Sequence, residues 1–219
     1  MPVMVQVSEL SYADADGIRV LDDIHLHVER EEMIVITGPA VAGKSTLLRL
    51  LAAQITPQTG QILVHGRNIA RLSRHKAIGL RRRIGYMPHS FPLLDRTVLE
   101  NLTFKLRALG DFREQAEERA LVALEDVGLT ARLATPIAEL DAADRIRTGL
   151  AVTICNEPLL LLIDEPFADL APEDREAVGS VLSRVHARGR TTIIATRGPA
   201  PTSLAVSCAL TLTDGRMEG

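Results

Sequence analysis

Hydrophobic residues open the chain in alternation. Val3, Val5 and Val7 recur at every second position, Asp14 to Gly17 reads as a turn, and Ile18 to Val28 alternates again. A period of two on both sides of a turn predicts paired strands. Met33 to Thr37 is a short apolar run that ends at the small residues of Gly38 to Ser45. A helix follows with Leu47, Leu48, Leu50 and Leu51 on a broad apolar face, closed by Pro57 and Gly60, and Gln61 to His65 is a further candidate strand. From about Thr97 to Cys155 the pattern turns helical: Ala116, Ala120, Leu121, Leu124 and Val127 recur at helical spacing and Gly128 stops them. Strand signals return at Leu159 to Ile163, at Thr191 to Ala195 and from Leu204 to Leu212. Between the first two, Pro172 suits a first helical turn, with Ala177, Val178, Val181, Leu182 and Val185 facing inward. Strands alternating with helices predict an α/β domain with a mainly parallel core sheet, preceded by an antiparallel β subdomain and interrupted at about 97–155 by an inserted helical subdomain.

The 219 residues are 46% apolar and 24% charged, enough for one large domain and unlike a disordered chain. Aromatics make up only 3%, so the core must be built from Leu, Val, Ile and Ala. The net charge of −3 argues against a nucleic-acid surface, and the run Arg81, Arg82, Arg83 is short enough to read as a solvated strand entry. Two distant cysteines, Cys155 and Cys208, lack metal-like spacing and are expected as buried free thiols in a reducing compartment. No leader-like start and no window of 18 continuous apolar residues is present, so a soluble cytoplasmic protein is expected.

The chemistry is concentrated in two places. Gly38-Pro39-Ala40-Val41-Ala42-Gly43-Lys44-Ser45-Thr46 matches G-x-x-x-x-G-K-[ST], between an apolar strand and a helix. Small residues let successive N–H groups turn toward phosphates, the helix N-terminus adds a positive dipole end, Lys44 can reach the outer phosphates and Ser45 can offer its hydroxyl to Mg²⁺. The apolar run Leu159 to Ile163 ends in Asp164-Glu165, carboxylates at the carboxyl edge of the sheet. Asp164 would hold Mg²⁺ and Glu165 would polarise an attacking water, with Lys44 as the second catalytic residue. Together the two motifs imply a P-loop nucleotide hydrolase.

Beyond these motifs the chain resembles the nucleotide-binding domains of ATP-binding-cassette (ABC) transporters along essentially its whole length. The residues that carry the resemblance are Ser11-Tyr12, the phosphate loop, Ile84-Gly85-Tyr86-Met87, Thr97 to Leu102, Glu139-Leu140, Asn156-Glu157-Pro158, Asp164-Glu165-Pro166 and Leu210 to Arg216. The resemblance implies a free-standing cassette that binds Mg-ATP, dimerises head to tail with a second cassette, and works on a membrane permease from the inner face of the membrane. It also implies that Tyr12 stacks on adenine and that His89 and Arg197 stand where the family has a glutamine and a switch histidine. The family's Leu-Ser-Gly-Gly-Gln signature is Leu140-Asp141-Ala142-Ala143-Asp144 here, and the acid after Leu170 is Ala171. Asp141 places a carboxylate where the family presents a neutral donor to a polyanion, and Arg197 cannot shuttle protons. Binding is therefore expected to be retained, with hydrolysis weak or dependent on a partner. A heterodimer with a standard cassette is favoured, and the alternative is a nucleotide-gated regulator that does not hydrolyse. The loop Phe91 to Leu94 is expected either to meet the permease or to pack on the helical insert.

Overall fold

The computed structural model describes residues 2–218. Two sheets and six α-helices account for it. The first sheet has the order β2-β1-β4-β5, from β1 (Val3–Ala13), β2 (Arg19–Glu29), β4 (Gln61–Val64) and β5 (Arg67–Asn68), all antiparallel. The second has the order β10-β9-β3-β8-β7-β6. Its members are β3 (Met33–Thr37), β6 (Ile84–Met87), β7 (Leu160–Asp164), β8 (Thr191–Thr196), β9 (Cys208–Thr213) and β10 (Arg216–Glu218). It is parallel except for the β9–β10 hairpin. Burial on both faces explains why β3, β7 and β8 read as nearly continuous apolar runs, while β1 and β2, covered on one face, alternate.

Helix α1 (Lys44–Leu51) packs its leucines between the two sheets, in a core that includes Leu10, Leu21, Ile36, Ile62 and Ile193. A second core, built around Met87, Leu102, Leu124, Leu150, Phe167 and Leu182, joins the other face of the parallel sheet to α3 (Val98–Leu109), α4 (Arg113–Val127), α5 (Ala142–Ile154) and α6 (Pro172–His186). Three of these helices, α3 to α5, lie between β6 and β7 in the chain. Thr97 opens α3 with a capping box: its hydroxyl accepts from the Glu100 N–H, and the Glu100 carboxylate accepts from the Thr97 N–H.

Several expectations from the sequence need correction. The last apolar run forms a strand only from Cys208, because Leu204 belongs to a turn whose N–H groups bond to Pro201 and Ser183. Leu121 lies on the outer side of α4, whose inward stripe is Ala116, Ala120, Ala123, Leu124 and Val127. Arg81 and Arg82 end a helix, α2 (Arg74–Arg81), which the polar sequence there concealed; Arg81 donates from Nε to the Ala53 carbonyl. Helix α1 stops at Ala52, before Pro57 and Gly60. Cys155 is buried, but Cys208 is exposed.

Candidate nucleotide site

The phosphate loop runs from the end of β3 to α1 along the carboxyl edge of the parallel sheet. Gly38 is required there: a Cβ on it would stand 2.0 Å from the Leu212 carbonyl oxygen. Gly43, at φ 102, is the N-cap of α1, and a Cβ there would lie 2.7 Å from Leu21 Cδ2. No side chain caps this helix and its first turn holds no acid, so its leading N–H groups and positive dipole end face the cleft without a side-chain cap. Lys44 is only 5% exposed, and its ammonium donates to the carbonyls of Gly38 (2.7 Å) and Pro39 (2.8 Å).

The cleft around this loop has a volume of about 440 Å³ and is lined by Asp14, Val20, Ala40 to Thr46, His89, Glu165 and Arg197. The sequence-predicted residues Ala40, Val41, Ala42, Gly43, Lys44, Ser45, Thr46, His89, Glu165 and Arg197 are thus brought together, with Gly38 and Pro39 contributing their carbonyls to Lys44. Tyr12 stands outside that lining, on β1, packed against the α1 core. Asp14 and Val20 line the cleft and were missed, since an acid in a turn and a valine in a strand carry no motif. Val41, 98% exposed at φ 66, is a β-branched residue in the left-handed region at the lip of the cleft.

Asp164 ends β7 beneath the loop. Burial pushes its carboxyl above the ordinary range, against the opposing influence of the Ser45 hydrogen bond and of nearby His89 and Lys44. Its Oδ1 is buried without a hydrogen-bond partner. A desolvated carboxylate with a spare oxygen next to a hydroxyl fits a hard divalent cation that takes its remaining ligands from water and phosphate. Such a site needs no cluster of protein ligands, and among the described residues no group of three or more His, Cys, Asp or Glu could hold a metal.

Glu165 follows at φ 51 and is 10% exposed. Its Oε1 is 3.5 Å from Lys44 Nζ and 3.5 Å from Arg197 Nε, and its Oε2 accepts from the Arg197 backbone N–H at 3.0 Å. The pairing of Glu165 with Arg197 spans 32 residues and two strand ends, which no local pattern announces.

Helix α5 begins differently from α1. Asp141 is its N-cap, with Oδ1 accepting from the Asp144 N–H at 2.7 Å, and Asp144 adds a second carboxylate in the first turn. A second recess of about 260 Å³ runs from His89 and Glu165 to Ala142 and Arg145 at this helix start. The Phe91–Leu94 loop divides: Phe91 and Leu93 pack on the helical core, whereas Pro92 and Leu94 are exposed.

A strand, a glycine-bounded loop and an uncapped helix over a parallel sheet, with paired acids at the end of β7, one strand removed from β3 across β8, define a P-loop nucleotide-binding fold. The family model described as "ABC transporter" matches residues 21–168, and the chain belongs to that family as an ATP-binding cassette. It is 32% identical over 218 residues to the cell division ATP-binding protein FtsE of Escherichia coli, covering 99% of this chain and 98% of that protein. It is 33% identical over 193 residues to the methionine import ATP-binding protein MetN of Carboxydothermus hydrogenoformans, covering 88% of this chain but spanning only 57% of that relative's length. Among solved structures, cbiO1 of Clostridium perfringens, part of the ABC transporter complex cbiONQ, superposes with a TM-score of 0.91 at 26% identity, covering 100% of this chain and 88% of that one. The fold is also that of MJ0796, a bacterial ABC transporter cassette solved as a dimer (TM-score 0.86, 24% identity, covering 99% and 97%). Among the described residues no helix is long and apolar enough to cross a membrane.

Proposed function

We propose that this chain holds Mg-ATP at the phosphate loop and acts on the inner face of a membrane through a separate permease subunit, with weak hydrolysis on its own. The observation that carries the reading is the contrast around one cleft. The α1 N-terminus, Lys44, Ser45 and Asp164 are arranged to receive phosphate and a cation, while the α5 N-terminus already carries the carboxylates of Asp141 and Asp144. Ser45 and Asp164 would hold Mg²⁺, which would supply positive charge to the outer phosphates. Lys44 would bind those phosphates, Glu165 would polarise water, Arg197 and His89 would flank the terminal phosphate, and Tyr12 would meet the adenine.

A second cassette completes the proposal, and a heterodimer is favoured, because a partner with a neutral signature loop could cap the nucleotide held here. The relationship to FtsE and MetN, named for cell division and methionine import, supports a membrane-associated role. For the permease contact, the exposed Pro92 and Leu94 supply one edge. A groove of about 350 Å³ between α2, β6 and α3, with an apolar floor of Ile78, Ile84, Tyr86 and Leu109 and a rim that includes Arg81, Arg82 and Lys105, supplies a larger recess.

The test is Mg-ATP hydrolysis by the purified chain over a wide range of protein concentration, with Lys44→Ala as blank and nucleotide binding measured alongside. Binding with turnover near the blank supports the proposal. Turnover that rises faster than linearly with protein, to the rate of an ordinary cassette, would show that copies of this chain close on one another. One observation favours a second reading, a regulator that binds without hydrolysing: Glu165 is already held between two cations. ATP-dependent binding of the membrane partner with no turnover in the complex would select it.

A further inference from the structure

Glu165 is the group best placed to accept a proton from water in this cleft, yet it is held from three directions. Its backbone is fixed by its N–H to Ala195 O (2.8 Å) and by its carbonyl, which accepts from the Ala168 N–H (3.2 Å). Its Oε2 accepts from the Arg197 N–H (3.0 Å), which is enough to orient the carboxylate. The Arg197 guanidinium then adds a second, purely electrostatic hold, with Nε 3.5 Å from Oε1.

Lys44 stands at the same distance from that oxygen. Its ammonium, however, borders the loop where a polyphosphate would draw it away. Arg197 is charged at every pH of interest. It is also 50% exposed, so its head group is free to follow the nearly buried carboxylate. A carboxylate with one oxygen engaged by an N–H and the other by cations has fewer lone pairs turned toward an attacking water.

We propose that Arg197 is a positioning residue that pins Glu165 as an ion pair and holds it back from water, so that slow turnover is built into this cleft as well as into the α5 face. The inference rests on reading the cleft as an Mg-ATP site. It makes Arg197, which would flank the terminal phosphate, a restraint on turnover that acts through Glu165.

The full-length chain is assayed for kcat and KM with Mg-ATP as Arg197→His and as Arg197→Gln, each alone and combined with Glu165→Gln. ADP affinity is measured by calorimetry for every variant and for Lys44→Ala. The backbone N–H of residue 197 survives both substitutions, so the carboxylate keeps its orientation and loses only the added charge. The expected result is a kcat raised by about tenfold in both single variants, a part of the roughly 10²–10⁴-fold that a general base contributes. KM should change by less than about threefold, and the gain should vanish on the Glu165→Gln background, since interacting sites are non-additive. A kcat that is unchanged or lower in both single variants while ADP affinity is kept would overturn the proposal. So would a gain that survives Glu165→Gln, or a KM for Mg-ATP raised more than about threefold in both variants with ADP affinity kept, which would make Arg197 a ligand of the terminal phosphate. If the parent binds ADP no better than Lys44→Ala, the reading of the cleft as a nucleotide site fails first, and this inference fails with it.

Discussion

Two helices begin beside adjoining recesses that share His89 and Glu165, and they treat their N-termini in opposite ways. Helix α1 starts at a glycine in the left-handed region, has no side-chain cap and has no acid in its first turn. Helix α5 starts at Asp141, whose carboxylate accepts from the N–H of Asp144, itself a second acid. The dipole is the same in both. In α1 the positive end is left for an anion from outside, and Lys44 adds a buried cation to it. In α5 it is occupied by the chain's own carboxylates, Asp141 as the cap and Asp144 also paired with Arg147 and Arg132, so the positive end is satisfied from within. Phosphate affinity therefore follows from what caps a helix, over and above the presence of its N-terminus.

The contrast breaks most visibly at Lys44. Lys44→Ala should weaken ADP binding by at least about 30-fold, since losing one partner of a buried charged contact costs about 2 kcal/mol or more. Titration calorimetry giving less than a fewfold loss would mean that the loop N–H groups alone carry the affinity.

Asp164→Asn comes next. It should remove roughly tenfold of the affinity that Mg²⁺ adds to ATP binding, measured as the ratio of dissociation constants with and without the cation. The same carboxyl makes a pH prediction. Its folded pKa is raised above 3.8, chiefly by burial, so the folded state binds the proton more tightly than the unfolded chain does. Its contribution to stability is most favourable below that window, falls as pH climbs from near 3.8 through the folded value, and stays low above it. Melting curves without divalent cation should thus show Asp164→Asn gaining on the parent as pH rises from 4 toward 8. No change in the gap across that range would sink the argument.

Substitutions at Asp141 sharpen the α5 side of the comparison. Asp141→Ala removes the cap and should cost about 1 kcal/mol, lowering the melting temperature by about 2–4 °C. Asp141→Ser keeps a cap and removes the charge, so its melt should stay within about 1 °C of the parent. If both variants melt alike, the carboxylate is not acting as a cap. The smallest effect is expected at Val41→Gly, where relief of left-handed strain is offset by the freedom glycine gains when unfolded, leaving a net change below about 1 kcal/mol. A larger loss in calorimetric stability would mean that the exposed Val41 side chain has a packing role.

The phosphate loop was legible from the sequence because its chemistry is contiguous: Gly38 to Thr46 supplies the turn, the cation and the hydroxyl in nine successive residues. The parallel strands were legible because burial on both faces leaves unbroken apolar runs such as Leu160 to Ile163. What stayed hidden was relational. Asp141 reads as a charge opposed to phosphate, while the structure adds that it is the cap of its own helix. The hold of Arg197 on Glu165 joins the ends of two strands, and Asp14 enters the cleft only through the fold of the β1–β2 turn. Leu121 was misassigned because helical spacing alone admits a wider stripe than α4 buries. The strand expected from Leu204 began late because an apolar run does not reveal where its N–H groups find partners.

The placement of β9 has a consequence for synthesis. The floor beneath Gly38 is the carbonyl of Leu212, and Thr37 donates its hydroxyl to the carbonyl of Leu210, 173 residues further along the chain. On the ribosome, the segment that cradles phosphate emerges early and gains its supporting strand only when β9 follows. At about 5–20 residues per second that interval lasts on the order of ten seconds or more. For most of it β3 lacks both flanking strands, and after β8 emerges it still lacks β9, so nucleotide can reward only the finished sheet. Bound nucleotide would then act as a late lock on folding, since a ligand that recognises only the native arrangement deepens that state and none before it.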